Sequence, residues 1–344
     1  MEKSYFWNKK IIVSYILSIL VFWIHCSSFA NYDKNTMVKF CSYLFGSTIN
    51  KIAVPLFFIL AGVAFYRDYN DKKYVKKLLS RVKSLVIPFV FWNIVNMLFD
   101  MVASTFFSQY FVGREKMVIS LPNVLLGIFH YKYNGPFWFI FALIVFTIAA
   151  PIIDKLLVTK ITSILSIVTL IVLASFDIGL PQPLFYSKTC IIFYLVGGYI
   201  GRFYFDEFSK PSHKKWQLLS TTMIVVAIVY YMLLNYGMLT QRTIVSIIIL
   251  IALSICFWNM MDLFLPKEIT IPNFARHSFW VFALHINVSA VVTKLLFFVL
   301  PKSPYISLLN FVLTTIITLV GIEMVCCIIK KISYPIYSLL SGSR

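Results

Sequence analysis

Apolar residues run through this chain in ten long stretches, at roughly 11–30, 48–66, 83–106, 136–154, 161–178, 185–205, 216–236, 241–264, 278–300 and 304–329. Polar and charged residues gather in the short gaps between them. Each stretch approaches the ~20 residues that a helix needs to cross a hydrocarbon core, where its backbone groups pair internally and its side chains can be apolar all round. The pattern predicts an all-α integral membrane protein with about ten transmembrane helices, built as a single transmembrane domain over residues 1–344 with no separate soluble domain. In the first stretch Lys9 and Lys10 precede the apolar core, and Ser28-Phe29-Ala30 resembles a signal cleavage site. Its length and its interruption by His25 favour a retained helix.

Composition agrees with the pattern. Of 344 residues 60% are hydrophobic and 13% charged, where a soluble domain carries about 25% charged residues. A soluble fold of this size has no interior large enough to hide so much apolar surface. The net charge of +18 raises the question of nucleic acid, but the basic residues lie in short inter-helical loops, as membrane proteins carry them. With the N-terminus cytoplasmic, 21 of the 31 basic residues fall on the inner side, so both termini are expected in the cytoplasm. The partners expected on these grounds are membrane lipids rather than nucleic acid. The six cysteines read as small hydrophobes, without a disulfide framework or a metal site. Residues 107–135 form the longest segment outside the predicted helices, and the mildly amphipathic Gly127-Ile128-Phe129-His130 within it suggests a lid or re-entrant element on the outer face. No internal repeat and no Gly-rich phosphate loop is present, so nothing points to ATP-driven chemistry.

Polar residues at depth are the informative ones, because lipid penalises them unless they have a partner or a cavity. His25 lies near the outer end of the first stretch, and imidazole exchanges protons near neutral pH. An interfacial histidine capped by water is the simpler reading of the same residue. In Val54-Pro55-Leu56-Phe57-Phe58-Ile59-Leu60-Ala61-Gly62, Pro55 and Gly62 predict a bent, closely packed helix. The run from Arg67 to Lys83 sets seven basic residues against Asp68 and Asp71. It suits either a lipid-headgroup anchor or a dock for a polyanion such as the phosphates of coenzyme A. Trp138 sits at a helix end, where aromatics usually form an interfacial belt. His285 lies about two turns inside its helix, and Glu323 is the carboxylate placed inside a membrane span.

Four blocks, in order, resemble the bacterial acyltransferase family 3. They are Leu20-Val21-Phe22-Trp23-Ile24-His25, then Val54 to Gly62 with its following basic loop, then Arg81-Val82-Lys83-Ser84-Leu85-Val86-Ile87-Pro88-Phe89-Val90-Phe91-Trp92-Asn93. The last pairs Gly135-Pro136-Phe137-Trp138-Phe139 with the later segment Ser278 to His285. The resemblance implies a multi-pass enzyme of the cell membrane, an O-acetyltransferase in the commonest case. Such an enzyme moves an acyl group from cytoplasmic acyl-CoA, acetyl-CoA in the usual case, as donor substrate with no bound cofactor, to a hydroxyl of a cell-surface glycan or lipid-linked sugar. It makes His25 the catalytic residue; the basic residues Arg67, Arg81, Lys83 and Lys10 are then the expected donor-binding residues, and Trp138, His285 and Glu323 the candidates for lining a pocket. The chain departs from the family pattern twice. Ser14 stands where many relatives have an arginine about three turns before the histidine, leaving Lys9 or Lys10 to substitute. Ile140-Phe141 stands where many have an Arg-Asp pair. A thioester donor needs neither metal nor ATP, only a base and a geometry that holds hydroxyl and thioester together. A transporter or flippase for a lipid-linked sugar or small solute shares the helix count and the basic face. A glycan polymerase would need a larger external loop than 107–135 supplies.

Overall fold

The computed structural model describes residues 2–26, 29, 34–107, 119–176 and 189–342. Ser28 and Ala30 of the cleavage-like triplet, residues 108–118 of the predicted lid and the terminal Arg344 lie outside the described residues. All ten apolar stretches contain helix, and no strand occurs among the described residues. The helices are α1 (Glu2–Ile24), α2 (Thr36–Tyr66), α3 (Tyr74–Phe106), α4 (Leu121–Phe129), α5 (Trp138–Ile148), α6 (Ala150–Leu156) and α7 (Lys160–Ser175). They continue with α8 (Cys190–Phe203), α9 (Lys214–Asn235), α10 (Thr243–Leu263), α11 (Ser278–Val299), α12 (Pro304–Ile332) and α13 (Tyr334–Leu340). Seven of the described helices are long and apolar enough to cross a membrane, or eight if the broken pair α5 and α6 counts as one span. α7 and α8 are apolar but shorter, so of the ten expected crossings seven or eight are met by length and composition among the described residues. Pro151 in the first turn of α6 fits that break, since proline has no N–H to continue the preceding helix.

The chain divides into two compact units. The first comprises Met1–His25, Lys39–Tyr74 and Ile148–Ser278. At its centre α2 crosses α8 at backbone contact. A Cβ on Gly62 would lie 2.2 Å from the Tyr194 carbonyl oxygen, and one on Gly197 would lie 2.0 Å from that of Ile59. Small residues let two apolar helices approach until dispersion between backbones holds them, as membrane interiors require. The close packing expected at Gly62 is present, and Gly197 and Gly201 supply the facing surface. The irregularity in α2 lies upstream of Pro55, where Ser42–Thr48 is wound as a π-helix and Ile49–Ile52 as a 3₁₀ turn.

The second unit comprises Cys26–Val38, Val75–Thr147 and Phe279–Arg344. Here α3, α11 and α12 are joined by a buried polar seam. Asn287 donates its amide to Asn96 Oδ1 at 2.6 Å, the Thr293 and Thr314 hydroxyls lie 3.2 Å apart, and Asn310 donates to the Thr293 carbonyl at 3.3 Å. Paired polar groups of this kind act as inter-helical glue where water is absent. The C-terminal α13 closes the unit. Trp92 Nε1 donates to the Leu340 carbonyl, Trp280 Nε1 donates to Ser341 Oγ at 2.7 Å, and Trp280 stacks on Tyr337. Within the 107–135 segment, α4 is a nine-residue helix started by Ser120, whose hydroxyl accepts from the Asn123 N–H. It lies on α3, where Asn93 donates to the Ile128 carbonyl.

Candidate active site

Helix α1 sets the two ends of the first unit. At its beginning, Lys9 is wholly buried with its ammonium 2.5 Å from Asp262 Oδ1. The Tyr5 hydroxyl donates to the same oxygen at 2.6 Å, and the Ser212 backbone N–H and hydroxyl both donate to Oδ2 at 2.9 Å. Lys9 also stands 4.1 Å from the centre of the Trp258 ring. A charge pair out of water persists only when each partner's remaining hydrogen bonds are met, and this carboxylate accepts four. Lys9 is therefore committed to holding α1 against α10.

Lys10 and Arg67 are brought together by one ring. The Lys10 ammonium and the Arg67 guanidinium each lie 5.4 Å from the Trp7 ring centre, and Arg67 also lies 4.8 Å from that of Phe205. Arg67 lines a cavity of about 360 Å³ with Asp68, Arg202, Asp206 and Glu207, and its Nη1 is buried without a hydrogen-bond partner. Arg202 is held by the Leu157 carbonyl and by Asp154. Three carboxylates, Asp68, Asp206 and Glu207, share the cavity with the Arg67 guanidinium edge.

At the other end of α1, Trp23 meets Phe45 of α2 edge-on, with ring centres 5.5 Å apart. His25 follows the last residue of α1, its N–H donating to the Phe22 carbonyl at 3.0 Å and its side chain exposed. Protein around the ring removes enough water to lower its pKa from the ordinary 6.5. That shift favours the neutral imidazole, the form able to accept a proton.

The remaining candidates belong to the second unit. Arg81 is half-buried just before the π-helical turn Val82–Val86, and Lys83 is exposed within it. Trp138 is half-buried at the start of α5. Its block does meet the Ser278 to His285 block: Phe137 stacks on Phe282 at 5.4 Å, and Phe139 lies edge-on to Phe282 at 5.9 Å. His285 is 1% exposed, and its Nδ1 lies 2.8 Å from the Phe282 carbonyl and 3.2 Å from that of Val281. A carbonyl only accepts, so Nδ1 carries the proton and Nε2 is the basic nitrogen. Glu323 is half-buried and accepts from the Cys327 thiol at 3.7 Å. Glu323 lies within α12, a helix of spanning length, and a second carboxylate, Asp262, closes the spanning helix α10 and is more deeply enclosed than Glu323. Its signal in the sequence was slight, one acid closing an apolar run at Met260-Met261-Asp262. Among the described residues no three His, Cys, Asp or Glu side chains gather closely enough to hold a metal ion.

Apolar helices of spanning length, packed through glycines and satisfied polar seams, define a multi-pass membrane protein. The chain belongs to acyltransferase family 3: the family's acyltransferase domain matches residues 15–327. No curated protein and no solved structure matches the chain.

Proposed function

We propose that this membrane acyltransferase takes an acyl group, acetyl in the first instance, from cytoplasmic acyl-CoA to a hydroxyl of a cell-surface glycan or its lipid-linked precursor. The observation that carries the proposal is the layout of α1. Lys10 and Arg67 share Trp7 at one end, and a neutral, accessible imidazole stands fifteen residues further on, roughly 22 Å away at helical rise. A donor held by its phosphates at Arg67 and Lys10, with Arg81 and Lys83 on the same basic segment of sequence, would reach His25 with its extended pantetheine arm. Membership of an acyltransferase family supports the reaction class.

In the reaction His25 accepts the proton of the acceptor hydroxyl as its oxygen attacks the thioester carbonyl. The tetrahedral intermediate collapses with cleavage of the C–S bond, and the imidazolium returns the proton to the departing thiolate. An ester and free CoA thiol result, with no net change at the histidine. The cytoplasmic position of both termini, inferred from the loop charges, belongs to this proposal.

The test uses the full chain in sealed proteoliposomes with [¹⁴C]acetyl-CoA on the side of the basic loops and a mixed bacterial glycan fraction. Label appearing in the glycan as a base-labile ester is the expected result. Flux of a solute with no ester formed would overturn the reading in favour of transport.

A further inference from the structure

The π-helical and 3₁₀ windings of α2 coincide with a second polar site in the first unit. Pro55 has no N–H to offer the Lys51 carbonyl four residues earlier, so the regular helix cannot form there. Such interruptions recur at functional sites, because they turn side chains off the face that a regular helix would dictate. Here Asn235, at the end of α9, donates its amide to both Ser47 Oγ at 3.0 Å and Thr48 Oγ1 at 2.9 Å. Between the two helices lies a cavity of about 340 Å³ lined by Lys51, Tyr231, Asn235, Thr240, Gln241 and two leucines.

Two features point to a ligand. Tyr231 is 2% exposed, and its buried hydroxyl has no hydrogen-bond partner. A buried phenol is costly unless something else meets it. Lys51 is the one charged residue of the lining, and its ammonium lies 5.1 Å from the Tyr231 ring centre. A lysine within a spanning helix marks a functional position when a cavity receives it.

The cavity lies at the same end of the first unit as His25. Phe45 packs on Trp23, two residues before the histidine, and Ser47 and Thr48 bond Asn235. The buried Lys9–Asp262 pair and the Arg67 cavity belong to the beginning of α1 instead.

Phenol, amides and a threonine hydroxyl are the groups that recognise sugar hydroxyls, and a lone ammonium among neutral neighbours selects one negative charge. We propose that this cavity is the acceptor subsite and takes an acidic sugar, with Lys51 pairing to the sugar carboxylate and Tyr231 bonding a ring hydroxyl. At about 340 Å³ it is at the small end of ligand pockets, which fits one sugar residue rather than a chain. This inference rests on the acyl-transfer reading above and adds the class of acceptor.

The experiment measures equilibrium binding of a glucuronate-terminated disaccharide and its neutral glucose-terminated counterpart to the full chain in nanodiscs. Wild-type protein should bind the acidic sugar about tenfold tighter or more, the increment of one charge-assisted hydrogen bond. Lys51→Gln should lose that preference and Lys51→Arg should keep it, while Tyr231→Phe weakens both sugars. Equal wild-type affinity for the two sugars, binding of neither, or an undiminished preference in Lys51→Gln would overturn the subsite. The wild-type comparison decides even if a variant fails to fold. Thiol release from acetyl-CoA by the same wild-type preparation separates the two claims, because its absence overturns the acyl-transfer reading, whereas sugar preference alone judges the subsite.

Discussion

Lys9 in α1 and His25 just past its end illustrate two uses of a polar residue at a membrane. Lys9 is spent on structure, with its partner Asp262 accepting from Tyr5 and Ser212 as well. Removing one member of a buried pair leaves the other charge uncompensated, at a cost of about 3–5 kcal/mol. Lys9→Met should therefore lower the thermal unfolding midpoint sharply in detergent, and Lys9→Met with Asp262→Leu should recover part of the loss. A Lys9→Met protein as stable as wild type would show that the pair does not hold α1. His25 is held accessible and neutral instead, because partial desolvation lowers its pKa below 6.5. The base form is the deprotonated ring, so kcat/KM should be on its plateau at neutral pH. It should fall as acid protonates the imidazole, with the inflection below 6.5. A pH–rate profile that falls with an inflection above 6.5 would assign the base elsewhere. The histidine could be singled out from sequence, being a proton-exchanging residue at the end of an apolar run. The role of Asp262 could not, since its three partners come from residues 5, 9 and 212, and no local spacing encodes that meeting.

At the scale of elements, the ten apolar runs located the helices because continuous hydrophobicity is a local property of the chain. The length of each crossing was less legible: α7 and α8 fall short of the rest. Nor do the irregular turns show in the hydrophobic pattern: Pro55 and Pro88 leave the Lys51 and Ser84 carbonyls without their helical partners, in the 3₁₀ turn Ile49–Ile52 and the π-helical turn Val82–Val86. The α2–α8 crossing gives the sharpest stability prediction. Gly197→Val would drive a side chain into the Ile59 backbone, where even a Cβ has only 2.0 Å, and should abolish recovery of monodisperse protein. Gly321→Ala in α12 meets open space and should be neutral or slightly stabilising, since alanine favours helix over glycine by about 1 kcal/mol. Size-exclusion profiles of the two variants check both, and a well-behaved Gly197→Val would refute the backbone contact. Where α2 gives way to the basic loop, Arg67 lies between Trp7 and Phe205. Arg67→Ala should raise the KM for acyl-CoA about tenfold or more with little change in kcat, as loss of one charged contact to a donor phosphate requires. An unchanged KM would remove Arg67 from the donor site.

For the whole molecule, the sequence was enough to identify class and family, because both are written in long runs and in ordered blocks. The matched domain covers residues 15–327, and the pairing of the Gly135 and Ser278 blocks seen in sequence is a physical contact through Phe137 and Phe282. What was not legible is how the candidate residues are shared out. Lys10, Arg67 and His25 fall in one unit, while Arg81, Lys83, Trp138, His285 and Glu323 fall in the other. Lysines and arginines close together in a loop look alike in sequence, and only packing against Trp7 singles out Lys10 and Arg67.

The central claim is that one helix joins a donor end to a histidine base, and the most direct measurement is release of CoA thiol from acetyl-CoA by purified protein in nanodiscs, wild type beside His25→Ala. Slow release by wild type, reduced about 10²- to 10⁴-fold in a His25→Ala protein of unchanged thermal stability, is the predicted result. Release by His25→Ala at the wild-type rate would contradict the assignment of His25 as the base.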